Sequence, residues 1–211
     1  LLVRRWHSFL TMQTRVAAQL NHIVTVSSAS AADIATDFGV LPNAIQVIPN
    51  GVDTELFRAL PDVTRKSDQL IATASADAPL KGLAVLLQAF KLLSVDRPAL
   101  QLMLIASPKP GGDTEALISQ LQLGDRIHFV GGVSHADIVR LYAESTVAVV
   151  PSLYEGFGLP AVEAMASGIP LVSSDGGALA EVVGDGGLLV PAGDAKALAE
   201  AVDVVLSEAD V

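Results

Sequence analysis

The sequence predicts an α/β fold, a Rossmann-like parallel sheet with helices on both faces. From Gln69 onward, short runs of Val, Ile, Leu and Ala alternate with segments of helical periodicity. These runs are apolar throughout rather than at every second position, which is typical of parallel strands that are covered on both faces. Hydrophobic residues make up 51% of the chain, so a sizeable core can be buried.

Six apolar runs predict the strands of this sheet: Leu70–Ala74, Leu100–Ala106, Arg126–Val130, Val147–Pro151, Leu171–Ser173 and Leu188–Val190. The segments between and after these runs predict its helices: Gly82–Leu93, Thr114–Leu121, Ala136–Ala143, Pro160–Ala166, Leu179–Val183 and Ala195–Leu206. Ser134, followed three residues later by Asp137, is a capping pair that predicts where the third of these helices opens.

The sequence before Gln69 predicts a separate region and a connection. Residues 1–53 contain two predicted helices and two predicted strands: Ser8–Leu20, His22–Ser27, Ala29–Phe38 and Ile45–Ile48. Residues 54–68 are largely polar and include Pro61, which predicts a linker. Residues 69–211 then form the Rossmann-like domain.

Composition excludes several classes of function. A net charge of −10 argues against a nucleic-acid partner or an anionic membrane surface, because both require clustered Lys and Arg. The chain has no cysteine, which excludes disulfides and thiolate chemistry and is compatible with a cytoplasmic protein. His, Asp and Glu are not clustered at ligand spacing, so we expect no metal and no cofactor. Peripheral attachment of a full-length protein to a membrane is left open.

The segment after the predicted strand Val147–Pro151 has the residue types of a ligand site. In such sheets, ligands bind outside the carboxyl ends of the strands. Glu155 and two glycines precede Pro160, which suits a helix start, and Glu163 is expected in the first turn of that helix. Backbone amides at a helix start bind anions, and glycines let the backbone approach a ligand closely. The segment therefore predicts a site for a phosphate-containing ligand.

The two carboxylates of this segment suggest what else the ligand carries. They would repel a diphosphate, so we expect them to accept hydrogen bonds from sugar or ribose hydroxyls, at about 1.5–3 kcal/mol each. The alternative is a plain glycine turn, with Glu163 only favouring a helix N-terminus. The residues alone favour neither the ligand site nor the plain glycine turn.

Three motifs decide between these interpretations. The run PSLYEGFGLPAVEAMASGIP, residues 151–170, resembles the Glu-x7-Glu signature of the retaining group 1 glycosyltransferases, which have the GT-B fold. VIPNGVD at residues 47–53 resembles the end of that family's N-terminal domain, and PLKGLAVLLQAF at residues 79–90 resembles the start of its C-terminal domain. The resemblance implies that residues 1–53 are the tail of an acceptor-side domain and that residues 69–211 bind a nucleotide sugar.

The resemblance also implies roles for individual residues. Glu155 would bind hydroxyls of the donor sugar, Glu163 the ribose hydroxyls, and Lys81 the diphosphate, whose charge it would stabilise as the glycosidic bond breaks. Catalytic roles thus fall to Lys81 and Glu155. Further implied donor-binding residues are Gly156, Phe157, Gly158 and Leu159, with His128, Phe129 and Val130 lining the nucleobase. The alternative for Phe129 is a place in the core.

One position departs from the family pattern. Members usually have an Arg five or six residues before the Lys, as a second group that binds the diphosphate. Those positions are Ala76 and Ser75 here. The Ser75 hydroxyl would be a weaker, neutral donor to phosphate. Either another cation compensates, from an absent domain for instance, or donor affinity is lower.

The resemblance implies transfer of a sugar, with retention, from a nucleoside-diphosphate-sugar donor to a sugar, lipid or small-molecule acceptor. Two alternatives stay open: a nucleotide-binding module that has lost catalysis, supported by Ser75, and a nucleotide-sugar epimerase. Lys81 together with Glu155 favours transfer. The chain begins at Leu1 with neither an initiator Met nor a signal-peptide pattern, so we expect a fragment. The resemblance implies that the acceptor site lies in the largely absent N-terminal domain, so this fragment should bind donor but transfer little. Its tail strands would expose an apolar edge, which predicts association between chains.

Overall fold

The computed structural model describes residues 2–73 and 78–209. The chain divides into two compact units, Leu1–Gly51 and Val52–Val211. The proposed division into residues 1–53, 54–68 and 69–211 stays a prediction about the domains of the protein.

The first unit is a small α/β arrangement around a two-stranded parallel sheet. Its elements are α1 (Leu2–Ala17), β1 (Ile23–Thr25), α2 (Ser28–Phe38) and β2 (Ile45–Val47). The Ser27 hydroxyl accepts from the Ser30 amide at 3.0 Å and caps α2, and Gly39 ends this helix in the left-handed conformation. The two short strands leave apolar side chains exposed, among them Val24 and Val47. Association of chains through this face stays a prediction.

The second unit is the predicted Rossmann-like domain. Its strands are β3 (Gln69–Thr73), β4 (Gln101–Ile105), β5 (Ile127–Val130), β6 (Val147–Val150), β7 (Leu171–Ser174) and β8 (Leu188–Val190). Its helices are α3 (Leu83–Asp96), α4 (Asp113–Leu121), α5 (His135–Glu144), α6 (Leu159–Ala166), α7 (Leu179–Val183) and α8 (Ala195–Ala209). The strands pair in the order β5-β4-β3-β6-β7-β8, and every pairing is parallel.

Both faces of this sheet are covered, which confirms the prediction made from the apolar strands. Leu70 and Ala72 of β3 belong to a core that includes α3 and α8. Ile71, between them, belongs to a second core, on the side of α5, α6 and α7. Successive side chains of a strand point to opposite faces, so an apolar run such as Leu-Ile-Ala serves both cores.

Local chemistry sets several element boundaries. Ser134 and Asp137 form the predicted capping box, and α5 begins at His135. Helix α3 continues to Asp96, beyond the predicted end at Leu93, and stops before Arg97 because a residue that precedes proline is disfavoured in helical conformation. The prediction that the third strand begins at Arg126 is wrong, since this residue closes a short 3-10 turn and β5 starts after it.

The polar segment 54–68 is part of the second unit and packs against its Rossmann-like sheet and helices. Phe57 is buried in the core on the α5, α6 and α7 side. The Arg65 guanidinium donates to the Gly168 carbonyl at 2.6 Å, and the Lys66 amide donates to the Glu144 carbonyl at 2.9 Å. The last two contacts hold Arg65 and Lys66 near residues that precede β7 and β6, at the amino ends of these strands.

Candidate functional site

The order of the strands reverses direction between β3 and β6, which makes this position the topological switch point of the sheet. Chain order proceeds from β3 through β4 to β5 in one direction and from β6 through β7 to β8 in the other. Loops that leave the sheet on either side of such a point diverge, and the crevice between them binds ligands in open α/β sheets. Lys81 follows β3 and Glu155 follows β6, so both predicted catalytic residues belong to this crevice.

A glycine brings the two loops into contact. After β3, Pro79–Lys81 forms a short 3-10 turn, and Gly82 follows with φ +64°. A Cβ atom on Gly82 would lie 1.9 Å from the Pro151 carbonyl oxygen, which no side chain tolerates. In this same contact, the Leu153 amide donates to the Leu80 carbonyl at 2.8 Å. Gly82 therefore allows Lys81 to reach the loop after β6.

Lys81 and Glu155 form an ion pair at the switch point. The Lys81 Nζ lies 2.8 Å from Oε1 and 3.0 Å from Oε2 of Glu155. The Ser152 hydroxyl donates to Oε1 at 2.8 Å. The Glu155 side chain is 11% exposed and the Lys81 side chain 35% exposed. The carboxylate is thus nearly buried and compensated, while the ammonium still faces solvent and is accessible to an anion.

The connection between β7 and α7 holds the backbone of Glu155. Its amide donates to the Gly176 carbonyl at 3.3 Å, and its carbonyl accepts from the Ala178 amide at 2.9 Å. Gly177 has φ +64°, and a Cβ atom there would lie 2.4 Å from the Glu155 carbonyl oxygen. The loop that carries the carboxylate is therefore fixed by the connection between β7 and α7.

Helix α6 begins beside the ion pair. Gly158 is its N-cap residue, with φ +97°, and a Cβ atom there would lie 2.6 Å from a methyl carbon of Leu179. Leu159 is the first helical residue and is exposed. Glu163 lies in the second turn, so the prediction that it lies in the first turn is wrong: the helix starts one residue earlier than Pro160.

Glu163 differs from Glu155 in its electrostatic environment. It is half-buried, and this burial raises the pKa of its carboxyl, an effect that the nearby His135 partly opposes. Tyr142 lies under the start of the same helix and donates from its hydroxyl to the Pro160 carbonyl at 3.3 Å. Burial also raises the pKa of Tyr142, which keeps its hydroxyl protonated as a donor.

The remaining predicted residues take different places. Gly156 and Phe157 are partly buried in the loop between Glu155 and α6. In β5, the exposed His128 ring bonds the Gln101 side chain at 2.9 Å, whereas Phe129 packs against the core. Val130 ends this strand and so lies at the carboxyl edge. Ser75 lies outside the described residues.

The structure also shows residues that sequence reasoning missed. Ser152 donates to the Glu155 carboxylate, and Gly82 allows the two loops to approach each other closely enough for the ion pair to form. Tyr142 donates to the backbone at the start of α6. A signal for Ser152 was present, since a hydroxyl three residues before a carboxylate in a turn commonly bonds locally. Gly82 and Tyr142 gave no comparable signal, because their contacts depend on strands that are distant in sequence.

Two structural observations bear on metals and membranes. The described part of the chain contains no group of three or more His, Asp or Glu residues that could hold a metal ion. Among those same residues, no helix has the length and apolar character needed to cross a bilayer. The expectation of a metal-free, cofactor-free site stays a prediction.

Comparison with known proteins identifies the class. The family described as Glycosyl transferases group 1 matches residues 60–210, and the family described as Glycosyltransferase Family 4 matches residues 2–56. The chain belongs to the group 1 glycosyltransferases, as its motifs predicted, and it has their Rossmann-like α/β domain.

Among individual relatives, the chain is 52% identical over 186 residues to the MMP alpha-(1->4)-mannosyltransferase of Mycolicibacterium hassiacum. That match covers 88% of this chain and 44% of the relative, so the chain spans less than half of the relative's length. Sucrose-phosphate synthase of Thermosynechococcus elongatus has a similar structure, with TM-score 0.82 and 29% identity over 96% of this chain and 53% of that chain. HepE of Anabaena, solved with UDP and glucose, shares the fold at TM-score 0.83 and 24% identity over 95% of this chain and 58% of that chain.

Proposed function

We propose that this chain is the donor-binding part of a retaining glycosyltransferase that transfers a hexose from a nucleoside-diphosphate sugar to an acceptor. The observation that carries this proposal is the Lys81–Glu155 ion pair at the switch point of the sheet. It places one cation and one carboxylate side by side at the edge where open α/β sheets bind nucleotides. In a nucleotide sugar the diphosphate and the sugar are adjacent, so a cation for the diphosphate and a carboxylate for the sugar hydroxyls would have to lie side by side.

Lys81 is the residue that we assign to the diphosphate. Its ammonium is one-third exposed, and the described residues offer it only the Glu155 carboxylate. When the bond between sugar and phosphate breaks, negative charge develops on the leaving diphosphate, and a cation already held at that place stabilises it. The Glu155 carboxylate fixes the ammonium before the ligand arrives, which lowers the entropic cost of that contact.

Glu155 and Glu163 are assigned to hydroxyl groups of the donor. Glu155 would accept from the sugar, and Glu163, in the second turn of α6, from the ribose. Burial removes solvation from the half-buried Glu163 carboxylate, and a bond from a ribose hydroxyl would replace part of it. Residues 156–159 lie between the two carboxylates in sequence. The backbone amides of Gly156, Phe157 and Gly158, together with Leu159, would position the phosphate and the sugar.

The relatives suggest which donors to test. The Mycolicibacterium relative is a mannosyltransferase, and the Anabaena neighbour was solved with UDP and glucose. Mannose and glucose are therefore the first sugars to test, with GDP, UDP and ADP as carriers. Val130, at the carboxyl edge of β5, is better placed to contact the base than His128 or Phe129.

A melting experiment tests donor binding. UDP, GDP or ADP should raise the melting temperature of the chain, since a ligand at a hundred times its dissociation constant stabilises the native state by about 2.7 kcal/mol. Glu163→Ala should abolish that rise. Glu200→Ala is the matched control, because Glu200 is exposed on α8 and pairs only with Lys196 among the described residues. The absence of a shift with every nucleotide would count against the proposal.

The second candidate function is a nucleotide-binding module without catalysis, which Ser75 at the usual Arg position supports. Both candidates predict the melting shift. Hydrolysis or transfer of the sugar from a bound nucleotide sugar by the full-length protein distinguishes them. Slow release of free sugar supports the transferase, whereas tight binding with an intact ligand supports the module.

A further inference from the structure

The two oxygens of the Glu155 carboxylate are not equivalent. Oε1 accepts from both Lys81 and Ser152, at 2.8 Å each. Oε2, among the described residues, accepts from Lys81 alone, at 3.0 Å. A carboxylate oxygen has about two acceptor positions, so Oε1 is fully used and Oε2 retains one. The Ser152 hydroxyl creates this difference.

Ser152 is itself held in place from several directions. It is 3% exposed, and its carbonyl accepts from the Ser174 hydroxyl at the end of β7. The next residue, Leu153, is bonded through its amide to the Leu80 carbonyl beside Lys81. The hydroxyl of Ser152 therefore comes from a position fixed by the loops after β3 and β7. Its direction is set before any ligand binds.

We infer that Ser152 is a positioning residue, which occupies Oε1 of Glu155 so that Oε2 is the oxygen that accepts a hydroxyl of the donor sugar. This inference rests on the proposed function and adds a residue and an atom to it. Ser152 touches neither phosphate nor sugar in this account. The Ser152 hydroxyl acts by orienting the Glu155 carboxylate. Without it, both Oε1 and Oε2 of Glu155 could accept the same sugar hydroxyl.

A purely structural role for Ser152 makes a different prediction. If its hydroxyl only satisfies a buried loop, then its removal disturbs the loop and weakens every ligand of the site to the same extent. If it orients the carboxylate, then its removal weakens only ligands that carry the sugar. The comparison between a nucleoside diphosphate and its sugar conjugate therefore separates the two roles.

The experiment is a calorimetric titration of the chain with GDP and GDP-mannose, and with UDP and UDP-glucose. Ser152→Ala should weaken the sugar conjugate about tenfold, as expected when a charge-assisted hydrogen bond loses its alignment. It should change the affinity for the nucleoside diphosphate less than about twofold. Ser152→Thr, which retains the hydroxyl, should restore the preference for the conjugate.

Two further variants keep the test decisive. Ser152→Cys has nearly the size of serine but a weak donor, so it should behave like the alanine variant even if that variant folds poorly. Ser173→Ala is the matched control, because Ser173 is buried one strand away and its hydroxyl bonds the Ser174 carbonyl, not Glu155. This control should leave both affinities unchanged.

The outcomes separate this inference from the proposed function. If the unmodified chain binds the nucleotides but Ser152→Ala weakens both ligands equally, or neither, the positioning role is wrong and the proposed function survives. If the unmodified chain binds none of the four ligands, the proposed function fails first.

Discussion

Two neighbouring regions hold their carboxylates in opposite ways. In the loop of residues 151–158, Glu155 is almost buried and is compensated by Lys81 and Ser152. In α6, Glu163 is half-buried, and the pKa of its carboxyl is raised because burial outweighs the attraction of His135. One carboxylate is already paired within the protein, whereas the other lacks an equivalent partner among the described residues.

This difference suggests that the two carboxylates have different roles in stability and in binding. In the proposed function, the compensated carboxylate stabilises the fold and orders the cation that we assign to the diphosphate, so its removal should weaken both stability and binding. The half-buried carboxylate of Glu163 costs stability, and the proposed contact with the ribose would explain why it is retained. Functional sites commonly retain such unfavourable groups. Substitutions at Gly82, Glu155, Tyr142 and Glu163 test this contrast through their effects on stability.

Gly82→Ala should have the largest effect, because it separates the two loops that form the ion pair. The new Cβ atom would overlap the Pro151 carbonyl and would also require φ +64° of an alanine. We expect a loss of about 3 kcal/mol or more in the free energy of unfolding, measured by urea denaturation. Gly132→Ala is the control: it has φ +67° but open space around the new atom, so about 1 kcal/mol is expected. Equal losses for the two variants would show that the loop contact is unimportant.

Glu155→Ala should destabilise the chain by about 1–2 kcal/mol, because Lys81 and Ser152 lose their common acceptor. The one-third exposure of Lys81 limits the loss, since water solvates the ammonium in part. A double-mutant cycle with Lys81→Met should give a coupling free energy of about 1 kcal/mol. Strict additivity of the two variants would mean that the ion pair contributes nothing.

Tyr142→Phe should cost about 1 kcal/mol, since the buried hydroxyl donates to the Pro160 carbonyl at the start of α6. The Thr73 hydroxyl, 3.4 Å from the Tyr142 oxygen, loses the same partner. Thermal unfolding measures the change. Unaltered stability would show that α6 is held by packing alone.

Glu163→Gln should change stability least, and in the opposite direction. Because burial raises the pKa of Glu163, the folded chain retains its proton to a higher pH than the unfolded chain, whose Glu has its ordinary pKa of 4.5. The free energy of unfolding of the parent chain therefore falls as pH rises through this interval. The glutamine variant should be slightly more stable than the parent near neutral pH and equal to it below pH 4.5. Lower stability of the variant at neutral pH would contradict the contrast between the two carboxylates.

The sequence predicted the architecture because its signals are local. Apolar runs gave the strands to within a residue or two, and Ser134 with Asp137 gave the start of α5. The errors described in the second unit concern the residues at which elements begin or end. Helix α3 passed its predicted end and stopped only where Pro98 disfavours a further helical residue, and α6 began early enough to move Glu163 into its second turn.

The sequence names candidate residues for the site but not the contacts between them. Lys81, Glu155 and Glu163 follow strands, and sequence alone places them at the ligand edge. The ion pair depends on β3 and β6 being neighbours, which only the strand order shows. For the same reason, the roles of Gly82 and Ser152 were not predicted, although each stands close in sequence to a predicted residue.

A crystal structure of the chain with a bound nucleoside diphosphate would show whether Lys81 and Glu163 hold the donor. We expect diphosphate oxygens within about 3 Å of the Lys81 Nζ and ribose hydroxyls at the same distance from the Glu163 carboxylate. A nucleotide bound at another edge of the sheet, with the Lys81–Glu155 pair untouched, would contradict this expectation.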